Sequence, residues 1–148
     1  MPSAIESTGL RPGHAGRRYP ATEPYVVSAA KIAEFATAIA DQSPAYHGSD
    51  PIAPPTFAMV IAAQAWQRLF DDPELGLRLD HTIHTDQSFE WVRPLRVGDA
   101  VTATLTISSV RQRRGTDIIG LAVSLDTPAG EHLATASSTL WHTREDAS

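Results

Sequence analysis

The stretch APPTFAMVIAAQAWQRLF, residues 53–70, decides how the rest of the chain can be arranged. Pro54 and Pro55 fit the first turn of a helix, where a missing backbone N–H costs nothing, and Thr56 is placed to open the capped segment. From Phe57 to Ala63 no side chain is polar, and Gln64, Gln67 and Arg68 return only in the later turns. The spacing predicts one long helix, apolar on nearly every side at its start, that a single hydrophobic stripe does not describe. Such a helix has to be wrapped by its neighbours. The polar return and the short apolar run mark it as a core helix and not a membrane span.

What surrounds it follows from the flanking periodicities. Tyr25-Val26-Val27 reads as a short strand, and Ser28 as the N-cap of a helix whose apolar face is Ile32, Phe35, Ala36 and Ile39, ending near Asp41. DQSPAYHGSDPIAPP, residues 41–55, is dense in turn formers and delivers the chain to the long helix as a loop. Asp71, Asp72 and Pro73 stop that helix. Residues 82–91 then alternate, with Ile83, Gln87, Phe89 and Trp91 on one side and His84, Asp86, Ser88 and Glu90 on the other. After a turn at residues 94–99, Val101, Ala103, Leu105 and Ile107 alternate with Thr102, Thr104, Thr106 and Ser108; Gly115 and residues 127–130 turn two further strands. Strands clustered after helices and joined by tight turns imply an α+β arrangement. An antiparallel sheet curled around the long central helix, a hot-dog fold, is the economical way to bury it.

The 148 residues suit one domain, expected at residues 19–143 between an N-terminal tail (1–18) and a C-terminal tail (144–148). A formal net charge of −5 disfavours nonspecific nucleic-acid binding, which needs Lys and Arg against phosphates. With no cysteine there is no disulfide framework, thiol nucleophile or cysteine metal site. His81, His132 and His142 lack ligand spacing, so no metal and no cofactor is expected. Arg17-Arg18 is not followed by an apolar run, so a signal peptide is not expected, and the chain reads as soluble and cytoplasmic, with no membrane partner.

Four segments in order, YPATEPYVVSAAKIAEFATAIAD, SPAYH, IAPPTF and HTDQSFEWVRPLRVGD, resemble the MaoC-like (3R)-hydroxyacyl-thioester dehydratase family, and in particular its N-terminal-type, non-catalytic-looking subunits. The resemblance runs from about Tyr19 to His142. It implies a site for an acyl-CoA or acyl-carrier-protein thioester between two hot-dog protomers, in a homodimer or in a heterodimer with a catalytic hot-dog subunit. Active members carry an aspartate, an asparagine two residues later, then proline, a small aliphatic residue and a histidine. Here Asp41, Pro44 and Ala45 match, Ser43 replaces the asparagine, and Tyr46 stands in the histidine position with His47 one place too late. The family's chemistry needs acid–base capacity near neutral pH, and a phenol with an ordinary pKa of about 10 is a poor substitute.

Three functional readings follow from the resemblance. In the first, the chain shapes an acyl tunnel for a catalytic partner that interconverts 3-hydroxyacyl and trans-2-enoyl thioesters. Asp41, Tyr46 and His47 are then a degenerate catalytic motif, Ser43, Pro55, Thr56, Phe57 and His84 line the substrate, and amides at the start of the long helix face the thioester carbonyl. In the second, the chain is a self-sufficient (R)-specific enoyl-thioester hydratase, with Asp41 paired to His47 or His84. In the third it is a hot-dog thioesterase using Asp86 or Glu90. Each residue also has a structural role to weigh: Asp41 as a loop cap, Tyr46 as a packing aromatic, His84 as a sheet-face partner, Phe57 as core. Arg111, Arg113 and Arg114, at one hairpin, would meet the phosphates of CoA or an acidic carrier, where the bland alternative is a solvated turn.

Overall fold

A computed structural model describes residues 9–145. Its elements are β1 (Tyr25–Val26), α1 (Ala29–Ala38), α2 (Ala58–Phe70), β2 (Thr82–Trp91), β3 (Ala100–Arg113), β4 (Thr116–Asp126) and β5 (His132–Thr143). The strands form one five-stranded sheet in the order β1-β3-β4-β5-β2, with every pairing antiparallel. The sheet curls over α2, as expected. The alternating residues of β3 and β4 put Ala103, Leu105, Ile107, Leu121, Val123 and Leu125 on the inner face, all buried against Ile61, Ala65 and Leu69 of α2. Among the described residues no helix is long and apolar enough to cross a membrane.

The central helix departs from its reading in two ways. It begins at Ala58, after a single tight turn at Pro55–Phe57, and Thr56 is exposed in that turn without capping anything; the N-cap is Phe57, with no side-chain bond. Nor is it apolar all round in its setting. Ala58, Ile61, Ala62, Ala65 and Leu69 form one buried stripe, while Val60, Ala63, Gln64 and Gln67 face outward. One sheet covers one side of a helix, so alanines and valines on the far side stay uncovered in a single chain.

Two bulges set which side chains reach the core. In β2 the register shifts between His84 and Asp86, so Thr85 is extra and the alternation changes face. His84 opposite Leu140 therefore lies on the inner face with Gln87, Phe89 and Trp91, and Ile83 opposite Trp141 lies on the outer one, the reverse of the strict alternation read from sequence. In β3 a shift between Ile107 and Ser109 keeps Val110 inward.

Part of the expected N-terminal tail lies against the sheet. Residues 9–24 run along β3 as a strap: Gly16 N–H donates to the Ile107 carbonyl (2.7 Å), Ile107 N–H to Arg17 (2.9 Å), Tyr19 N–H to Leu105 (2.9 Å) and Thr22 N–H to Ala103 (3.0 Å). Leu10 and His14 are buried. The rest of the expected tail, residues 1–8, lies outside the described residues. At the other end Arg144 N–H donates to the Gly115 carbonyl (2.9 Å), which ties the start of the expected C-terminal tail to the β3–β4 hairpin. Its residues 146–148 lie outside the described set.

Candidate functional site

The loop between α1 and α2 is built from consecutive turns. Ser28 caps α1 by accepting the Lys31 N–H (3.1 Å). The helix stops at Ala38, earlier than Asp41, because Ala40 adopts a left-handed backbone (φ 56°). Its N–H bonds the Thr37 carbonyl (3.0 Å) and the Asp41 N–H bonds the Ala36 carbonyl (2.9 Å), a complete Schellman stop with alanine where glycine is usual. Asp41 Oδ1 then accepts the Ser43 N–H at 3.0 Å, and Ser43 Oγ accepts the Ala45 N–H at 3.4 Å. These bonds fold Pro44–Tyr46 into a single tight turn. The Tyr46 ring leans on the core, while His47, one residue on, is exposed.

The loop returns to the sheet where Ile52 N–H bonds the Ala45 carbonyl (3.0 Å) and Ala53 N–H bonds the Leu95 carbonyl (2.8 Å). Between the loop and the end of β2 this leaves a cleft of about 340 Å³, walled by Ala45, Tyr46, Ile52, Ala53 and Pro55 on one side and Trp91, Val92, Arg93 and Pro94 on the other. Its lining is predominantly apolar. The one charged member, Arg93, is held by Asp99 (2.8 and 3.0 Å) and Glu131 (3.0 Å). The Arg93 bonds hold the Asp99 carboxyl below the usual carboxylate range. The cleft therefore presents an apolar trough with a phenol at its side, suited to an alkyl chain.

The expected site residues divide. Tyr46 and Pro55 line the cleft; Asp41 and Ser43 support its wall through backbone turns. Phe57 does not face it: the ring is 2 % exposed and clamped edge-on by Tyr25 (6.1 Å) and Phe35 (5.4 Å), which makes it core. His84 lies elsewhere on the inner face, its ring against Trp66 (4.9 Å) and its Nε2 3.1 Å from both the Asp86 carbonyl and Gln87 Oε1. Among the described residues neither His47 nor His84 bonds Asp41. Of the amides that open the long helical segment, Phe57 N–H bonds the Pro54 carbonyl and Ala58 N–H those of Pro55 and Thr56.

Arg111, Arg113 and Arg114 sit at the far end of the sheet from the cleft. Ile83 and Trp91 mark the two ends of β2, eight residues or about 26 Å apart. Among the described residues no group of three or more His, Asp or Glu side chains converges as a metal site would require. The residues missed in the sequence are the second wall, Trp91 to Pro94. Alternation put Trp91 inward, but only the pairing of Ala53 with Leu95 brings this wall against the loop.

Residues 13–136 match the family model described as the FAS1-like dehydratase domain region. A UPF0336 protein of Cutibacterium acnes is 66% identical over 131 residues, which cover 88% of this chain and 92% of that one. One of Streptomyces coelicolor is 42% identical over 130 residues, covering 82% and 87%. Among solved structures, a MaoC-like dehydratase superposes with a TM-score of 0.78 at 27% identity, over 90% of this chain but 43% of that one, so this chain spans less than half its length. A chain of the HadBC (3R-hydroxyacyl-ACP dehydratase) complex of Mycobacterium tuberculosis superposes with a TM-score of 0.75 at 27% identity, over 86% and 96%. With the curled sheet, the central helix and these matches together, the chain belongs to the FAS1-like dehydratase-region family of MaoC-like hot-dog proteins.

Proposed function

We propose that this chain is the substrate-holding subunit of a two-chain hot-dog dehydratase that interconverts 3-hydroxyacyl and trans-2-enoyl thioesters, the acid–base pair coming from a histidine-bearing partner. The observation that carries it is the character of the cleft: an apolar trough of about 340 Å³ with Tyr46 where the active family members have histidine. Asp41, which would be the other half of the pair, has Oδ1 occupied by the Ser43 N–H. What remains can bind and orient an acyl chain but lacks a group poised to take a proton from C2 at neutral pH.

The sheet edge supports a second chain. β2 pairs with β5 on one side only, so its outward backbone N–H and C=O groups are open to another strand. The similarity to one chain of the two-protein HadBC complex, and to less than half of a longer MaoC-like chain, supports a partner of the same fold. The test is hydration of crotonyl-CoA and of a longer enoyl-CoA by the purified chain, alone and mixed with a histidine-bearing hot-dog subunit. The chain alone should be inert, and the mixture should turn over the longer substrate faster than the partner alone. Full turnover by the single chain would overturn the supporting role.

A further inference from the structure

The outer face of the sheet carries a second feature at the end remote from the cleft. Strand pairing aligns Arg111, Ile118, Trp141 and Ile83 in one row from β3 across to β2. Beside that row Arg113, Arg114 and Thr116 join Ile118 and Trp141 around a hollow of about 610 Å³. Its apolar floor is Ile118, which is buried, and Trp141, which is 47 % exposed; Ile83, next in the row but outside the hollow, is 66 % exposed. Among the described residues the guanidinium groups of Arg111, Arg113 and Arg114 form no ion pair, although the chain as a whole is acidic. A solvated turn explains unpaired arginines, but not an exposed indole and isoleucine in register beside them. Arginine around tryptophan is the composition of interface centres.

We propose that this hollow docks an acidic protein surface, the carrier half of the thioester substrate, with carboxylates on the three arginines and an apolar side chain on Trp141. The inference rests on the acyl-thioester reading above. Charge selects the occupant. A second copy meeting this patch in a two-fold contact would set arginine against arginine, and a lone phosphate would leave the indole uncovered.

The test measures binding of an acidic acyl carrier protein, with and without its phosphopantetheine arm, to the full chain in complex with its partner subunit. The variants are Arg113→Glu/Arg114→Glu and, separately, Trp141→Ala, each checked for native circular dichroism; binding of a long-chain enoyl-CoA to the cleft is measured in parallel. Both carrier forms should bind the wild type, and each variant should weaken them by about tenfold or more, with steep salt dependence for the wild type and enoyl-CoA affinity unchanged. Equal carrier binding by wild type and variants overturns the docking site and leaves the thioester reading intact. Absence of carrier binding by the wild type also overturns it, and the enoyl-CoA measurement then decides the thioester reading separately. Loss of self-association in Trp141→Ala, with carrier binding retained, would assign the patch to a second copy and overturn it as well.

Discussion

The strap at residues 9–24 and the loop at residues 41–53 are both irregular segments broken by proline and glycine, yet they are held in different ways. The strap is fastened from both sides. Its backbone follows β3, and its side chains grip the segment after α2: Arg17 bonds Asp72 (2.8 Å) and Glu74 (2.6 Å), and the Tyr19 hydroxyl donates to Asp72 (2.6 Å). Although burial alone would raise the Asp72 carboxyl, the Tyr19 and Arg17 bonds hold it below the usual range; the Arg17 bond does the same for Glu74. The loop has mainly turns between near neighbours, meeting the sheet only at its last residues, Ile52 and Ala53. Irregular sequence is thus compatible with long-range or with local fastening, and the locally fastened segment is the one that walls the cleft.

That contrast can be broken most directly at Asp72. Replacing it with alanine takes the acceptor from the Tyr19 hydroxyl, leaves Arg17 with Glu74 alone, and should cost about 2–3 kcal/mol in urea unfolding, with protease cutting moving into residues 9–24. A loss under about 0.5 kcal/mol would show the strap to be held by its backbone alone. The wild type should behave similarly on acidification. Because the folded values of Asp72 and Glu74 are depressed, their stabilising share is complete above the ordinary carboxylate range, near about pH 4, and is lost as pH falls through the folded values. Asp72→Ala should flatten that acid limb, and an unchanged limb would place the pH dependence elsewhere.

A smaller effect tests the loop as a wall. Ala45→Trp fills the cleft from the exposed side of the turn and, in the reconstituted pair, should raise KM for a long enoyl thioester about tenfold, the worth of roughly two buried methylenes. A four-carbon thioester should be unaffected; equal effects on both would remove the cleft from the acyl path. The smallest change sharpens the comparison without touching either surface. Ala40→Gly relieves the left-handed backbone at the end of α1 and should stabilise the fold by about 0.5–1 kcal/mol, read as a rise in Tm. A lowered Tm would mean that unfolded-chain entropy outweighs the strain.

Most of the fold was open to reading from local pattern. The 3.6 and 2.0 periodicities placed both helices and the long strands, with β2 at residues 82–91, because half-buried elements must alternate to present one face to a core. The bulges were not open to it. Thr85 changes the face of His84, and nothing in a polar run such as HTDQS states which residue will be extra. The candidate site was half legible. Tyr46 was located through the family resemblance, as the residue standing in the motif's histidine position, whereas the opposing wall of Trp91 to Pro94 depends on a contact between segments some forty residues apart in sequence.

By itself the amino-acid sequence determined the greasy helix, the alternating strands, the turn chemistry around residues 41–46 and the absence of histidine at position 46, since each depends on neighbours a few bonds away. Tertiary structure alone decided that α2 shows the sheet a single face, that a proline- and glycine-rich tail becomes a strap, that Phe57 turns inward, and that Arg113 and Arg114 share a hollow with an exposed tryptophan at the end opposite the cleft. These outcomes follow from register and from which surfaces meet once the chain has closed, and residues distant in the chain carry no local mark of the partner they will find.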